Sequence, residues 1–201
     1  MDKAYTASLN ELIEQFSKLP GIGKKTAERL AMHILKVGSD DAMALARAIR
    51  DVKMKVKQCK ICHNLAEADT CEICADERRD KSIICVVEQA RDVITLEKTG
   101  LCKWVYHVLG GHIAPLDGVD ASDLTIDSLV RRIRSGEVKE LVMATNPNME
   151  GDGTALYISS ILKNTNVKIT RLARGLPTGT ELEYASGNII AEAIIGRQKL
   201  E

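Results

Sequence analysis

The sequence predicts a multidomain α/β protein, with a helical front third and an open, mostly parallel α/β sheet separated by a small metal-stapled module. Three observations predict it. Apolar residues in the first 58 positions recur at helical spacing. Two Cys-x-x-Cys pairs then place four of the six cysteines of the 201-residue chain within 16 positions. After them, short apolar runs alternate with helical patterns, the signature of βα units.

The cysteine stretch reads Cys59-Lys60-Ile61-Cys62, eight residues, then Cys71-Glu72-Ile73-Cys74. Each knuckle turns its backbone so that both sulfurs face one point, and two knuckles this close can surround one tetrahedral zinc. Ordinary buried cysteines or disulfides are the alternative, which the clustering disfavours. With Cys59, Cys62, Cys71 and Cys74 all bound, no coordination position remains open, so the zinc is structural.

Composition narrows the function classes. The chain is 45% hydrophobic, enough for a real core, and its single Trp, single Phe and four Tyr disfavour an aromatic platform for stacking bases. Formal net charge is zero. Residues 1–58, however, carry 11 Lys or Arg against 7 Asp or Glu, so the basic end is the candidate for an acidic partner. No apolar run approaches the roughly 20 residues of a membrane span, and Met1-Asp2-Lys3 begins no leader pattern. A reducing cytoplasm is therefore expected, where Cys-x-x-Cys pairs favour metal over disulfide.

In the front third, Leu9, Leu12, Ile13 and Phe16 define a helix over residues 7–18, ending before Leu19-Pro20-Gly21. Gly21-Ile22-Gly23-Lys24-Lys25 leads into a second helix carrying Ala27, Leu30, Ala31, Ile34 and Leu35, so the segment reads as a helix-hairpin-helix. Gly21 and Gly23 let backbone approach a phosphate, and the N–H groups opening the second helix can donate to it. Lys24 adds charge beside the turn, and Lys25 and Arg29, four apart on one face, can reach neighbouring phosphates without reading bases. The bland alternative is a helix turn with a solvated basic face. A third helix is expected over 39–57, with Ser39 as N-cap and Asp40 and Asp41 in its first turn.

Beyond the cysteines, Ile83-Ile84-Cys85-Val86-Val87 is a buried strand running into Glu88, with Cys85 as core. A helix over 89–99, a strand over 104–108, a helix over 124–135 and a strand over 140–145 follow. His107 and His112 flank a turn, where a hydrogen-bonded role is commoner than metal ligation. The third strand enters the loop 146–154, containing Glu150 and Asp152. Ligand sites in open α/β sheets collect beyond the carboxyl ends of strands, so Glu88, Glu150 and Asp152 could converge on magnesium, a cation that prefers oxygen ligands. Equally, Asp152 and Thr154 could cap a helix over 155–163; the residues leave both open. A strand over 167–172, a glycine-containing turn at 174–179 and an apolar helix over 187–199 complete the chain.

The order of parts resembles the bacterial RecR family of recombination mediators across essentially the whole chain. The resemblance rests on Leu19-Pro20-Gly21-Ile22-Gly23, the four cysteines, Ile84-Cys85-Val86-Val87-Glu88 with Arg91-Asp92-Val93, and Tyr106-His107-Val108-Leu109. It continues through Ala144-Thr145-Asn146-Pro147, Glu150-Gly151, Thr154-Ala155-Leu156-Tyr157 and Ala173-Arg174-Gly175-Leu176-Pro177. It implies a helix-hairpin-helix domain over 1–57, a four-cysteine zinc finger over 58–76, a Toprim domain over 80–176 and a C-terminal segment over 177–201 for oligomer contacts. It further implies a homotetrameric ring, built by way of dimers, that clamps single-stranded, duplex or gapped DNA. With RecO and RecF, such a clamp helps load recombinase at gaps, in a cytoplasmic, nucleoid-associated setting. Glu88, Glu150 and Asp152 would be the Toprim acidic positions, for magnesium or a partner. Two departures stand out: Lys24 replaces the family's usual Pro, and residues 184–189 lack the family's usual acids.

A non-enzymatic DNA clamp in recombinational gap repair is thus the expected function. The rival is a metal-dependent Toprim phosphoryl-transfer enzyme of nuclease or primase type, using the same carboxylates. Tyr106 in a strand and Tyr157 in a helix offer no evident nucleophile for it. A zinc-stabilised module whose hairpin only dimerises is a third reading.

Overall fold

The computed structural model describes residues 5–199, which form two compact units dividing between Val56 and Lys57. Residues 1–4, among them the Met1-Asp2-Lys3 start, and residues 200–201 lie outside the described range.

The first unit is helical: α1 (Ala7–Ser17), α2 (Lys24–Lys36) and α3 (Ser39–Lys55). Thr6 caps α1 by accepting the Leu9 N–H at 3.4 Å. Ala27 and Ala31, four apart and fully buried, form a shallow face on α2 that lets α1 approach with Ile13, Leu9, Leu12 and Phe16. Ile22 of the intervening turn joins this cluster. Ser39, expected as the cap of α3, is instead its first helical residue; Gly38 precedes it in an extended conformation with no side-chain bond. Asp40 and Asp41 occupy the first turn, where the helix dipole favours them. Among the described residues of α3 none is buried, and Met43, Ile49, Val52 and Met54 are each more than half exposed.

The second unit begins with the hairpin β1 (Lys57–Gln58) and β2 (Leu65–Ala66) and the short helix α4 (Glu72–Ala75). It continues with β3 (Asp80–Val87), α5 (Ala90–Glu97), β4 (Trp104–Val108), α6 (Ile126–Arg134), β5 (Glu140–Met143), α7 (Met149–Ile161), β6 (Lys168–Arg171) and α8 (Gly187–Ile195). The order β4-β3-β5-β6 is parallel throughout, with Ile84 of β3 opposite Val105 and Leu141. Alternation sorts the core into two layers. Ile84, Val86, Leu141 and Met143 meet Ile126, Leu129, Ile133, Ile158 and Leu162 from α6, α7 and the turn after α7. Cys85, Val87, Tyr106, Val108 and Val142 meet Val93 of α5 on the opposite face. Cys85 is core, as expected. No helix among the described residues is long and apolar enough to cross a membrane.

One element departs in a way that shapes the site. The helix expected from residue 155 starts at Met149, so Glu150 and Asp152 lie in its first turn. Its cap is Asn148, whose Oδ1 accepts the Gly151 N–H at 2.8 Å, and neither Asp152 nor Thr154 serves that role. Gly151 and Gly153, poor helix formers, disguise the start. The terminal helix is shorter than expected, ending at Ile195 before Gly196.

Candidate functional site

The four cysteines meet. Their sulfurs all lie within 4.8 Å of one another, and all four side chains are buried. A zinc with arms of about 2.3 Å to sulfur separates its ligands by about 3.8 Å, which this cluster accommodates. Local structure creates it: β1 and β2 close the first knuckle, the Cys59 N–H donates to the Asn64 carbonyl at 2.7 Å, and His63 adopts φ 60° to complete the turn. The second knuckle opens α4, and the Cys71 N–H donates to Cys59 Sγ at 3.3 Å. Contact with Cys74, then burial, pushes the Cys62 thiol well up. Four sulfurs so placed ionise together only around a cation, so the chemistry of the set fits structural zinc.

The α/β layer supports this centre from behind. The Val108 N–H of β4 donates to the Cys62 carbonyl at 2.8 Å. His63 Nε2 lies 2.9 Å from Ser128 Oγ of α6, and its ring meets His107 edge-on at 5.2 Å. His107 Nε2 lies 3.1 Å from the Thr125 carbonyl, which can only accept, so Nε2 carries the proton. Its Nδ1 is buried without a partner, and burial lowers its pKa to about 3, leaving the ring neutral. Half-buried Arg132 of α6 donates to the Tyr106 carbonyl at 2.7 Å. Ser128 and Arg132 escape a reading of the sequence, because Arg131, Arg132 and Arg134 look like a solvated helix face and nothing local links them to His63.

In the helical unit the turn residues stand as their types require. Gly21 has φ +76°, a conformation costly for other residues, and space beside both Gly21 and Gly23 is open. Gly23 precedes α2 without a side-chain cap, so the first-turn N–H groups face no competing acceptor from that residue. Lys25 and Arg29 are exposed one turn apart. Lys24 borders a hollow between α1 and α2 beside Glu14 and Glu28.

The three carboxylates are arranged differently from a metal site. Glu88, 2% exposed, accepts the Asn146 N–H and side-chain amide, each at 2.7 Å, and pairs with His112 Nδ1 at 3.0 Å. Asp152 is bound by Arg171 and Arg174, and Arg174, the larger influence, holds its carboxyl below the usual range. Arg174 also reaches Glu192 at 2.9 Å, tying α8 to the start of α7. Glu150 instead borders a hollow of about 540 Å³ with Ile113, Met149 and Tyr157. Among the described residues, the cysteines alone form a group of three or more potential metal ligands. His112 and His107 are both hydrogen-bonded, the commoner role expected for them.

Comparisons with known proteins agree with this layout. Three family models match: a RecR helix-hairpin-helix over residues 9–53, a RecR four-cysteine zinc finger domain over 56–76, and a Toprim domain over 82–173. A protein named Recombination protein RecR from Rhodopirellula baltica is 53% identical over 196 residues, covering 98% of each chain. Proteins of the same name from Staphylococcus aureus strains JH9 and JH1 are 48% identical over 196 residues, covering 98% of this chain and 99% of theirs.

Proposed function

The chain belongs to the RecR family of recombination proteins, and from that premise we propose that it is a non-enzymatic DNA clamp acting in recombinational repair of gaps. The observation that carries this reading is the exposed pair Lys25 and Arg29 beside the uncapped Gly21-Ile22-Gly23 turn. Together with Lys24 they present backbone N–H groups and cations to one phosphate strand, a contact that positions DNA without reading its bases. The chain assembles as a homotetramer by way of dimers, and the apolar side chains exposed on α3 and α8 support such assembly. Family membership supports recombinase loading with RecO and RecF as the role of this clamp.

The pairing of Glu88 with Asn146 and His112, and of Asp152 with two arginines, supports this reading over a metal-dependent phosphoryl-transfer enzyme. A magnesium ion there would have to displace those partners. Anisotropy of labelled gapped DNA tests the clamp: a Lys25→Ala, Arg29→Ala double variant should bind at least about tenfold more weakly, and unchanged affinity would refute the assignment. Solution mass with and without DNA should show the tetramer; a monomer throughout contradicts encirclement. Magnesium-dependent cleavage or priming of DNA by the purified protein would elevate the enzyme.

A further inference from the structure

A zinc ion bound by four thiolates keeps about two net negative charges. Burying that charge against a folded domain costs free energy unless a cation stands opposite. Arg132 is placed to be that cation. It lies on the face of α6 that also carries Ser128, four residues earlier, and Ser128 bonds His63 directly beside Cys62. Its guanidinium is aimed by the Tyr106 carbonyl, two residues before Val108, whose N–H holds the Cys62 carbonyl. Arg132 and Cys74 line one hollow of about 170 Å³, together with Ile61 of the first knuckle.

We propose that Arg132 is the counter-charge of the zinc–thiolate centre, a positioning residue through which the α/β layer holds the metal in place. Facing a cation, the sulfurs donate less electron density outward and resist protonation and competing metal ligands. Zinc retention and the packing of α6 on β4 are then one property: whatever moves α6 away from the knuckles loosens the metal.

Zinc transfer from the full-length holoprotein to a chromogenic chelator tests the assignment, with folding monitored by circular dichroism. Arg132→Gln keeps a donor for the Tyr106 carbonyl but removes the charge, and should release zinc about 10- to 100-fold faster. Arg132→Lys restores the cation and should stay within about threefold of the parent. Ser128→Ala loosens the same seam without changing charge, and should fall near R132K. Release from R132Q no faster than from S128A, or from R132K as fast as from R132Q, would overturn the assignment by reducing Arg132 to packing. Should R132Q not fold, R132K against S128A decides alone: faster release from R132K refutes the counter-charge.

Discussion

Glu88 and Asn146 lie 58 residues apart, yet the Glu88 carboxylate accepts both the backbone N–H and the side-chain amide of Asn146, each at 2.7 Å. This clasp joins the carboxyl ends of β3 and β5, while the remaining acceptor capacity of Glu88 engages His112 beyond β4. A residue type expected for metal chemistry thus organises three loops. Glu88→Ala should destabilise the second unit by about 2 kcal/mol, because it removes the charged acceptor of the Asn146 N–H, the Asn146 amide and His112. Denaturant unfolding measures the loss, and a change below about 0.5 kcal/mol would show that the clasp is not structural.

Gly151 and Gly153 lie in one helix and predict opposite outcomes. A Cβ on Gly151 would collide with the Asn146 carbonyl and approach Glu88 Oε1 and Asn148 Oδ1 at 2.9 Å, whereas Gly153 is exposed with open space around it. Gly151→Ala should cost about 2–4 kcal/mol by forcing backbone apart. Gly153→Ala should be neutral or stabilise by up to about 1 kcal/mol, since alanine is the better helix former. Paired melting curves separate the two.

His107 sets an acid limit on stability. Its folded pKa, lowered to about 3 by burial, lies below the ordinary histidine value of about 6.5, so the unfolded chain takes up the proton first. Stability is therefore full above pH ~6.5 and falls by about 1.4 kcal/mol per unit as pH drops towards ~3. Protonating Nδ1 in place would bury an N–H without an acceptor. His107→Gln should be less stable at neutral pH but have a flatter profile between pH ~5 and ~6.5. Both proteins share the zinc centre, so subtracting their profiles isolates the histidine.

Zinc removal should act on the α/β unit rather than on the hairpin helices, because the knuckles are bonded to β4 and α6. Binding free energy of about 10 kcal/mol supplies the folding of so small a module. Hydrogen exchange after chelation should show residues 57–76 opened and β4 and α6 partly deprotected. Protection in α1 and α2 should persist.

Salt dependence reports phosphate contacts directly. Each cation removed from the DNA contact lowers the log–log slope by about 0.7 to 0.9, so the Lys25→Ala, Arg29→Ala pair should lower it by about 1.5. Weaker binding at an unchanged slope would place these side chains off the phosphates.

The division between sequence and tertiary structure follows interaction range. Cysteine spacing, the glycine turn and the apolar periods are local, so the zinc ligands, the hairpin and the alternating strands are legible in the sequence. The start of α7 is not, because two glycines argue against helix, and Gly151 is required by the Asn146 carbonyl and the Glu88 carboxylate that crowd it in space. The fate of the carboxylates is equally hidden: residue type marks Glu88 and Asp152 as potential ligands, but Asn146, His112, Arg171 and Arg174 decide that their charges are already engaged. The cysteines by themselves determined which atoms hold zinc. Only the packing of α6 and β4 decided what stands behind it, since a buried charge selects its partner by proximity in space.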